Sequence, residues 1–179
     1  MKKIYLSLAL VLGLASTQAQ ETHPAIQKGK IMIETNFTPF GTGNSGFSYS
    51  KTDWAKSWQV GASAGYFVID KLAFKAGIGY TKTELDIDFG GLASANFNSD
   101  ALAYQFGAKY YIINCITVQV DFNGTKQGDI TANSIGGQLG YAWFIKDNMA
   151  LEPAVKYNLG VDDNSSNVFS AGLGFSIHF

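Results

Sequence analysis

From residue 30 to the C-terminus, apolar side chains fall on every second position in stretch after stretch. This period of two is the feature that most limits what the chain can become, because alternation puts successive side chains on opposite faces of a strand, whereas a helix needs apolar positions three and four apart. The last stretch shows it best. Phe169, Ala171, Leu173, Phe175, Ile177 and Phe179 make one face, and Ser170, Gly172, Gly174, Ser176 and His178 make the other. Residues 134–143 repeat the pattern, with Ile135, Leu139, Tyr141 and Trp143 opposing Ser134, Gly136, Gln138 and Gly140. Comparable alternation occupies 30–37, 58–68, 72–81, 102–110, 116–123 and 149–159. Eight strands are expected, and the length of 179 residues suits one domain rather than two.

The connections alternate as well. Val68-Ile69-Asp70-Lys71, Ile112-Ile113-Asn114-Cys115 and Ile145-Lys146-Asp147-Asn148 suit short hairpin turns. Longer polar or Gly-rich links lie between them, at about 38–57, 83–100, 124–133 and 160–167. Short and long connections therefore sit at opposite ends of the sheet, as in outer-membrane barrels with short periplasmic turns and longer external loops. An even strand count places both chain ends on the short-turn side.

Residue type decides which face points outward. The less apolar face is largely Gly, Ser, Ala and Gln, for example Gln59, Gly61, Ser63 and Gly65. That set makes a poor solvated surface but fits the crowded interior of a narrow barrel. Charged residues are 15% of the chain, against about 25% in soluble domains. Threaded up and down, the outward aromatics form two belts. Phe37, Trp58, Tyr80, Tyr104, Phe122, Tyr157 and Phe169 fall near the loop end, and Tyr66, Phe74, Tyr110, Tyr141, Trp143 and Phe179 near the turn end. Aliphatic or small residues such as Ala62, Ile78, Leu139 and Leu173 lie between. A bilayer with two interfaces selects this arrangement, and a soluble core does not. The expected fold is all-β, an eight-stranded antiparallel up-and-down transmembrane β-barrel. Pro153 fits badly inside the seventh strand, where its missing N–H removes a ladder bond, and a bulge is expected there.

The first residues read differently. Lys2 and Lys3 precede an apolar run from Ile4 to Leu14, and Thr17 and Ala19 stand at a signal-peptidase spacing. The run is shorter than the roughly 20 residues a spanning helix needs. Residues 1–19 are expected to be a cleaved signal peptide and 20–179 the barrel domain, beginning near Gln20. No cysteine in that region accepts a lipid, and Cys115, the only cysteine, has no partner for an internal disulfide. The net charge of −1 gives no case for nucleic acid.

With this strand pattern, this asymmetry of connections and a last strand ending in Phe179, the sequence resembles the small outer-membrane β-barrel family typified by OmpA-type transmembrane domains and OmpX-like proteins. The resemblance covers nearly all of the mature chain, and the Ala- and Gln-rich cleavage region is similar to that of Bacteroidetes precursors. It implies a Gram-negative cell outer membrane, a monomer in contact with outer-membrane lipids, and insertion by the barrel-assembly machinery. It also implies that the last strand is an assembly signal, carried here by Gly174, Ile177 and Phe179, with Ile where an aromatic is usual. No peptidoglycan-binding domain is expected after Phe179.

The inward face carries Glu34, Lys75, Lys109, Asp121, Glu152 and Lys156, three acids and three bases. Buried charges must be paired, so a self-neutralising structural network is expected in place of an ion path. Some barrels of this size act on lipid A and need a nucleophile with a histidine base. The sequence offers only His23 and His178, the latter beside Ser176 at the periplasmic mouth and away from lipid substrate. Catalysis is not expected, nor is a cofactor or a zinc site, since two distant histidines without a cysteine cluster make none. Phe47, Tyr49 and Trp54 in the first long link are read either as a binding surface or as the ends of strands rising above the membrane. The function expected is a structural or surface-interaction role, through external loops that bind an extracellular partner. A narrow pore for small solutes comes second, and a lipid-modifying enzyme third.

Overall fold

The computed structural model describes residues 22–40, 46–52, 55–88 and 94–179. The expected signal peptide, its cleavage point and Trp54 lie outside the described residues. Ten strand segments form one closed antiparallel sheet: β1 (Ile31–Phe40), β2 (Phe47–Lys51), β3 (Ala55–Ile69), β4 (Leu72–Asp88), β5 (Ser94–Tyr111), β6 (Ile116–Gln127), β7 (Ile130–Tyr141), β8 (Trp143–Lys146), β9 (Met149–Gly160) and β10 (Val168–His178). They build eight staves. β7 and β8 share one, both pairing with β9, and β1 closes the ring by pairing with β10 on one side and β3 on the other.

The alternation in the sequence becomes alternation of burial. Along β6, Thr117, Gln119, Asp121 and Asn123 are buried while Val118, Val120 and Phe122 are exposed. The exposed face carries most of the large apolar side chains, among them Phe74, Ile78, Leu139 and Trp143. The polarity is inverted relative to a soluble protein, which requires a lipid solvent around the staves.

The closing stave is divided. β1 pairs with β3 only from Ile31↔Tyr66 to Glu34↔Ser63, while it follows β10 as far as Phe40↔Ala171, with a bulge between Phe37 and Phe40. Farther along β3, β2 takes over its edge from Phe47↔Val60 to Lys51↔Lys56. Phe47 and Tyr49 therefore lie on a strand, exposed, in a segment that the sequence pattern assigns to a link.

Two other connections differ from expectation. β4 and β5 stay paired without interruption from Leu72↔Tyr110 to Asp88↔Ser94, through much of the link expected at 83–100. β6 and β7 meet at Gln127↔Ile130, so the link expected at 124–133 is a two-residue turn in which Gly128 has φ +57°. Glycine takes that left-handed conformation without a Cβ clash. Polar strands that rise out of the membrane lose their alternation of hydrophobicity, which makes them read as loops.

Pro153 makes no bulge in its own strand. β9 holds register with β10 through Leu173↔Pro153. The interruption falls on the other neighbour, where β7 ends at Tyr141 and β8 begins at Trp143 in unchanged register, from Gly140↔Ala154 to Trp143↔Leu151. Ala142 between them donates its N–H to Cys115 O at 2.6 Å. The ladder lapses where the donor is missing, and the cost is confined to one site.

Candidate functional site

The lumen holds three layers. At the turn end, residues 22–30 fold back into the barrel mouth as one turn of 3-10 helix, Pro24–Ile26, capped by the His23 side chain, which accepts from Ala25 N at 3.3 Å. Ala25 and Ile26 are buried against Met32, Phe67, Ala73, Tyr111, Ala142 and Ala150, with Phe144 partly covering them. Burying an isoleucine stabilises by about 1.5–3 kcal/mol, so Ile26 anchors the plug. Backbone bonds fix it to the staves: Gly29 N to Phe67 O at 2.9 Å, Phe67 N to Lys30 O at 2.9 Å, and Lys71 N to Ile26 O at 2.8 Å. Lys71 sits in a turn at φ 68°, uncommon for a residue with a Cβ, and its carbonyl accepts from Tyr111 N at 2.9 Å.

Both histidines belong to this layer. His23 stacks on Phe144 with ring centroids 4.0 Å apart, and the His178 ring lies 5.7 Å from Phe144 on another side. The expectation that the two were far apart holds along the chain and fails in space. His178 Nδ1 is 2.9 Å from Ala25 O, and a carbonyl only accepts, so Nδ1 carries the proton. Nε2 then accepts from Ser176 Oγ at 3.1 Å. The pair is buried under the plug, where its third partner is a main-chain carbonyl in place of an orienting carboxylate. Burial holds the His23 pKa below the usual imidazole value, against an opposing pull from Asp147.

The middle layer is charged. Lys109, fully buried, has its Nζ 2.6 Å from Glu34 Oε2 and 2.6 Å from Glu152 Oε2. Lys75 reaches Glu34 Oε1 at 2.6 Å and donates to Gln119 Oε1 at 2.8 Å. Gln119 Nε2 donates in turn to Asp121 Oδ2 at 2.7 Å, and Lys156 lies 3.0 Å from the same oxygen. The structure thus brings Glu34, Lys75, Lys109, Asp121, Glu152 and Lys156 into one connected ladder across staves distant in sequence. The bridging neutral groups were missed: Gln119, Thr117 (2.9 Å to Glu152 Oε1) and Gln138 (3.3 Å to the same atom). Their signal was present, since Thr117, Gln119, Asp121 and Asn123 occupy consecutive inward positions of β6. Glycine makes the room. A Cβ on Gly140 would stand 2.6 Å from both Glu152 Oε1 and Thr117 Oγ1.

At the loop end the lining is neutral. Lys156, its side chain 17% exposed, marks the bottom, donating to Asn123 Oδ1 at 3.2 Å. Above it a cavity of about 140 Å³ is lined by Asn123, Asn133, Ser134, Asn158, Asn164 and Ser166, among others. The link after β9 closes one wall: Val161 N donates to Asn133 O at 3.0 Å, and Asn133 N and Nδ2 donate to Asp162 Oδ2 at 2.7 and 3.0 Å. Burial pulls the Asp162 pKa upward, but hydrogen bonds from Ser165 and Asn133 outweigh it and hold the carboxyl below its usual range.

The expected assembly-signal residues line the seam. Gly174 faces the lumen opposite Asn36, Ile177 pairs with Ile33, and Phe179 exchanges both main-chain bonds with Ile31, at 3.1 and 2.8 Å. Its ring is exposed at the turn end.

The model of the outer membrane protein beta-barrel domain family matches residues 25–143. Two solved structures share the fold. The outer membrane protein Ail of Yersinia pestis, in a phospholipid bilayer nanodisc, is 12% identical, with a TM-score of 0.53 over 85% of this chain and 100% of that one. OprG of Pseudomonas aeruginosa, also an outer membrane protein, is 16% identical, with a TM-score of 0.51 over 86% of this chain and 98% of that one. No curated protein matches the chain.

Proposed function

The chain belongs to the outer membrane protein β-barrel domain family, and on that premise we propose that it is a closed barrel of the outer membrane that presents a strand platform to a partner outside the cell. One observation carries this reading. β5 first pairs with β6 at Leu102↔Lys126, so Ser94–Ala101 rise beyond that neighbour with β4 as their partner among the described residues. Eight residues of strand extend about 25 Å. With β2 and the upper part of β3 they make a sheet standing above the loop end, on one side of the barrel among the described residues. Its polar pairs, such as Ser57 Oγ with Thr83 Oγ1 at 3.1 Å and Lys82 with Glu84 at 3.1 Å, suit water on both faces. Unpaired strand edges hydrogen-bond an incoming extended segment, and natural proteins cover or blunt them unless pairing is useful.

Supporting the closed barrel are the charge ladder and the plug beneath it. A pore reading has the loop-end cavity in its favour, yet that cavity ends at Lys156 and Asp121. Against a lipid-modifying enzyme, the Ser176–His178 pair is occupied in holding the plug. The test compares cells displaying the full barrel with cells displaying one whose β4–β5 hairpin is cut back to Thr81 and Ala101. Adhesion to host cells or matrix should be lost with the hairpin while barrel folding persists. Equal adhesion by both, or a steady porin-sized current from the pure full-length barrel, would sink the proposal.

A further inference from the structure

We propose that the cavity at the loop end of the lumen is a binding site for a neutral polyhydroxylated ligand, one sugar ring in size. It is separate from the projecting sheet, so the failure of either idea leaves the other standing.

Three observations lead there. The first is unused hydrogen-bonding capacity. Asn158 Oδ1 accepts from Asn123 Nδ2 at 3.3 Å, but Asn158 Nδ2 has no partner among the described residues, nor has Asn164 Oδ1. The Thr125, Ser134 and Ser166 hydroxyls make no side-chain hydrogen bond there either, and all of these residues line the one cavity. Amides and hydroxyls offer donors and acceptors side by side, the match for an alcohol group, which is itself both.

The second is charge. Among the described residues, the cavity lining contains no carboxylate and no cationic side chain. Lys156 at the bottom is paired with Asp121 at 3.0 Å and bonded to Asn123, and Asp162 behind the wall is held by Asn133. A phosphate or carboxylate ligand would find no free cation, and a metal ion no free carboxylate in the lining. Apolar ligands are disfavoured by a lining that is mostly polar, with Ala132 and Val168 its apolar members.

The third is preformed shape. The link over residues 161–167 is held by Gly160 N to Asn167 Oδ1 at 3.1 Å, Ser165 N to Asp162 O at 3.2 Å, and Asn164 Nδ2 to Thr131 O at 3.2 Å, which leaves Asn164 Oδ1 and the Ser166 hydroxyl for a ligand. A wall already ordered adds little entropic cost to binding. The space, about 140 Å³, is close to the ~150 Å³ known to take a six-membered ring, and far more than a single water needs. Tyr104 donates its hydroxyl to Asn133 Oδ1 at 2.8 Å, and no aromatic residue is among the described residues that line the cavity, so affinity rests on hydrogen bonds and should be on the order of 1 mM.

The test uses the full mature barrel in lipid nanodiscs with nitrogen-15 labelling. The side-chain amide signals of Asn123, Asn133, Asn158 and Asn164 are followed while D-glucose, D-galactose and N-acetyl-D-glucosamine are titrated separately. Calcium chloride and sodium phosphate serve as parallel probes. At least one sugar should move these signals saturably, with a midpoint unaffected by added sodium chloride. Asn158→Leu should weaken it about tenfold or more, the effect of losing one well-placed hydrogen bond. Ser166→Ala, on the link after β9 and outside the strands, should weaken it to a lesser degree. Absence of saturable shifts with all three sugars overturns the proposal. So does binding that survives both substitutions, or a response confined to calcium or phosphate.

Discussion

The two ends of this barrel obey opposite rules. At the turn end the lumen is enclosed: Ile26, Met32 and Phe67 pack into an apolar cluster, and His178 and Lys71 tie the plug to the staves. At the loop end polar groups are left available, in the cavity below Asn164 and on the sheet that rises past Leu102. The charge ladder divides the two regimes. Enclosure demands that each buried polar atom be matched, whereas a region open to water tolerates unmatched ones at little cost. Stability is therefore expected to be concentrated in the plug and the ladder.

The largest effect should come from breaking the ladder at its hub. Lys109→Met removes the cation shared by Glu34 and Glu152; Glu34 keeps Lys75, and Glu152 is left buried without a cation. A loss of about 3–5 kcal/mol is expected in urea unfolding of the refolded barrel, since an uncompensated buried charge costs that much. Adding Glu152→Gln should recover part of it. A change below ~1 kcal/mol would mean that water reaches the ladder and that the lower region is not enclosed.

A middle-sized effect contrasts lipid with water. Leu173→Arg, on the outward face between the aromatic belts, should destabilise by about 2–4 kcal/mol if it lies near the midplane. Asn98→Arg, on the projecting sheet opposite Glu84, should stay within about 0.5 kcal/mol, as surface changes do. Comparable losses at both sites would show that the projecting sheet is not in water.

The smallest effect tests the plug by pH. The His23 pKa is depressed in the folded state, so His23 contributes stability above the unfolded value, near 6.5, that is lost as pH falls through the folded one. Protonation also removes the acceptor for Ala25 N. Amide exchange at Lys71, whose N–H donates to Ile26 O, should quicken below pH 6.5 beyond the intrinsic trend, and His23→Phe should abolish the excess. Unchanged protection in acid would place His23 outside the plug's energetics.

The period of two, the inverted faces and the aromatic belts were enough to reach the barrel, its stave number and the lumen charges from residue order alone. These are properties of one strand at a time, repeated, and strand periodicity survives in the sequence because each side chain meets either lipid or lumen. Partners within the ladder were beyond it, since Lys109 meets Glu34 and Glu152 across staves and register is set by closure. The plug left no periodic mark: Ala25 and Ile26 are buried by Phe67 and Tyr111, which lie far along the chain. Pro153 announced a fault, but only pairing placed it in the neighbouring stave, because the lost donor belongs to a ladder of two strands. The loop-end cavity is the extreme case. Asn123, Asn133, Asn158 and Asn164 read separately as ordinary strand and turn residues, and they become one lining only when β6, β7, β9 and the link after β9 converge around a closed lumen.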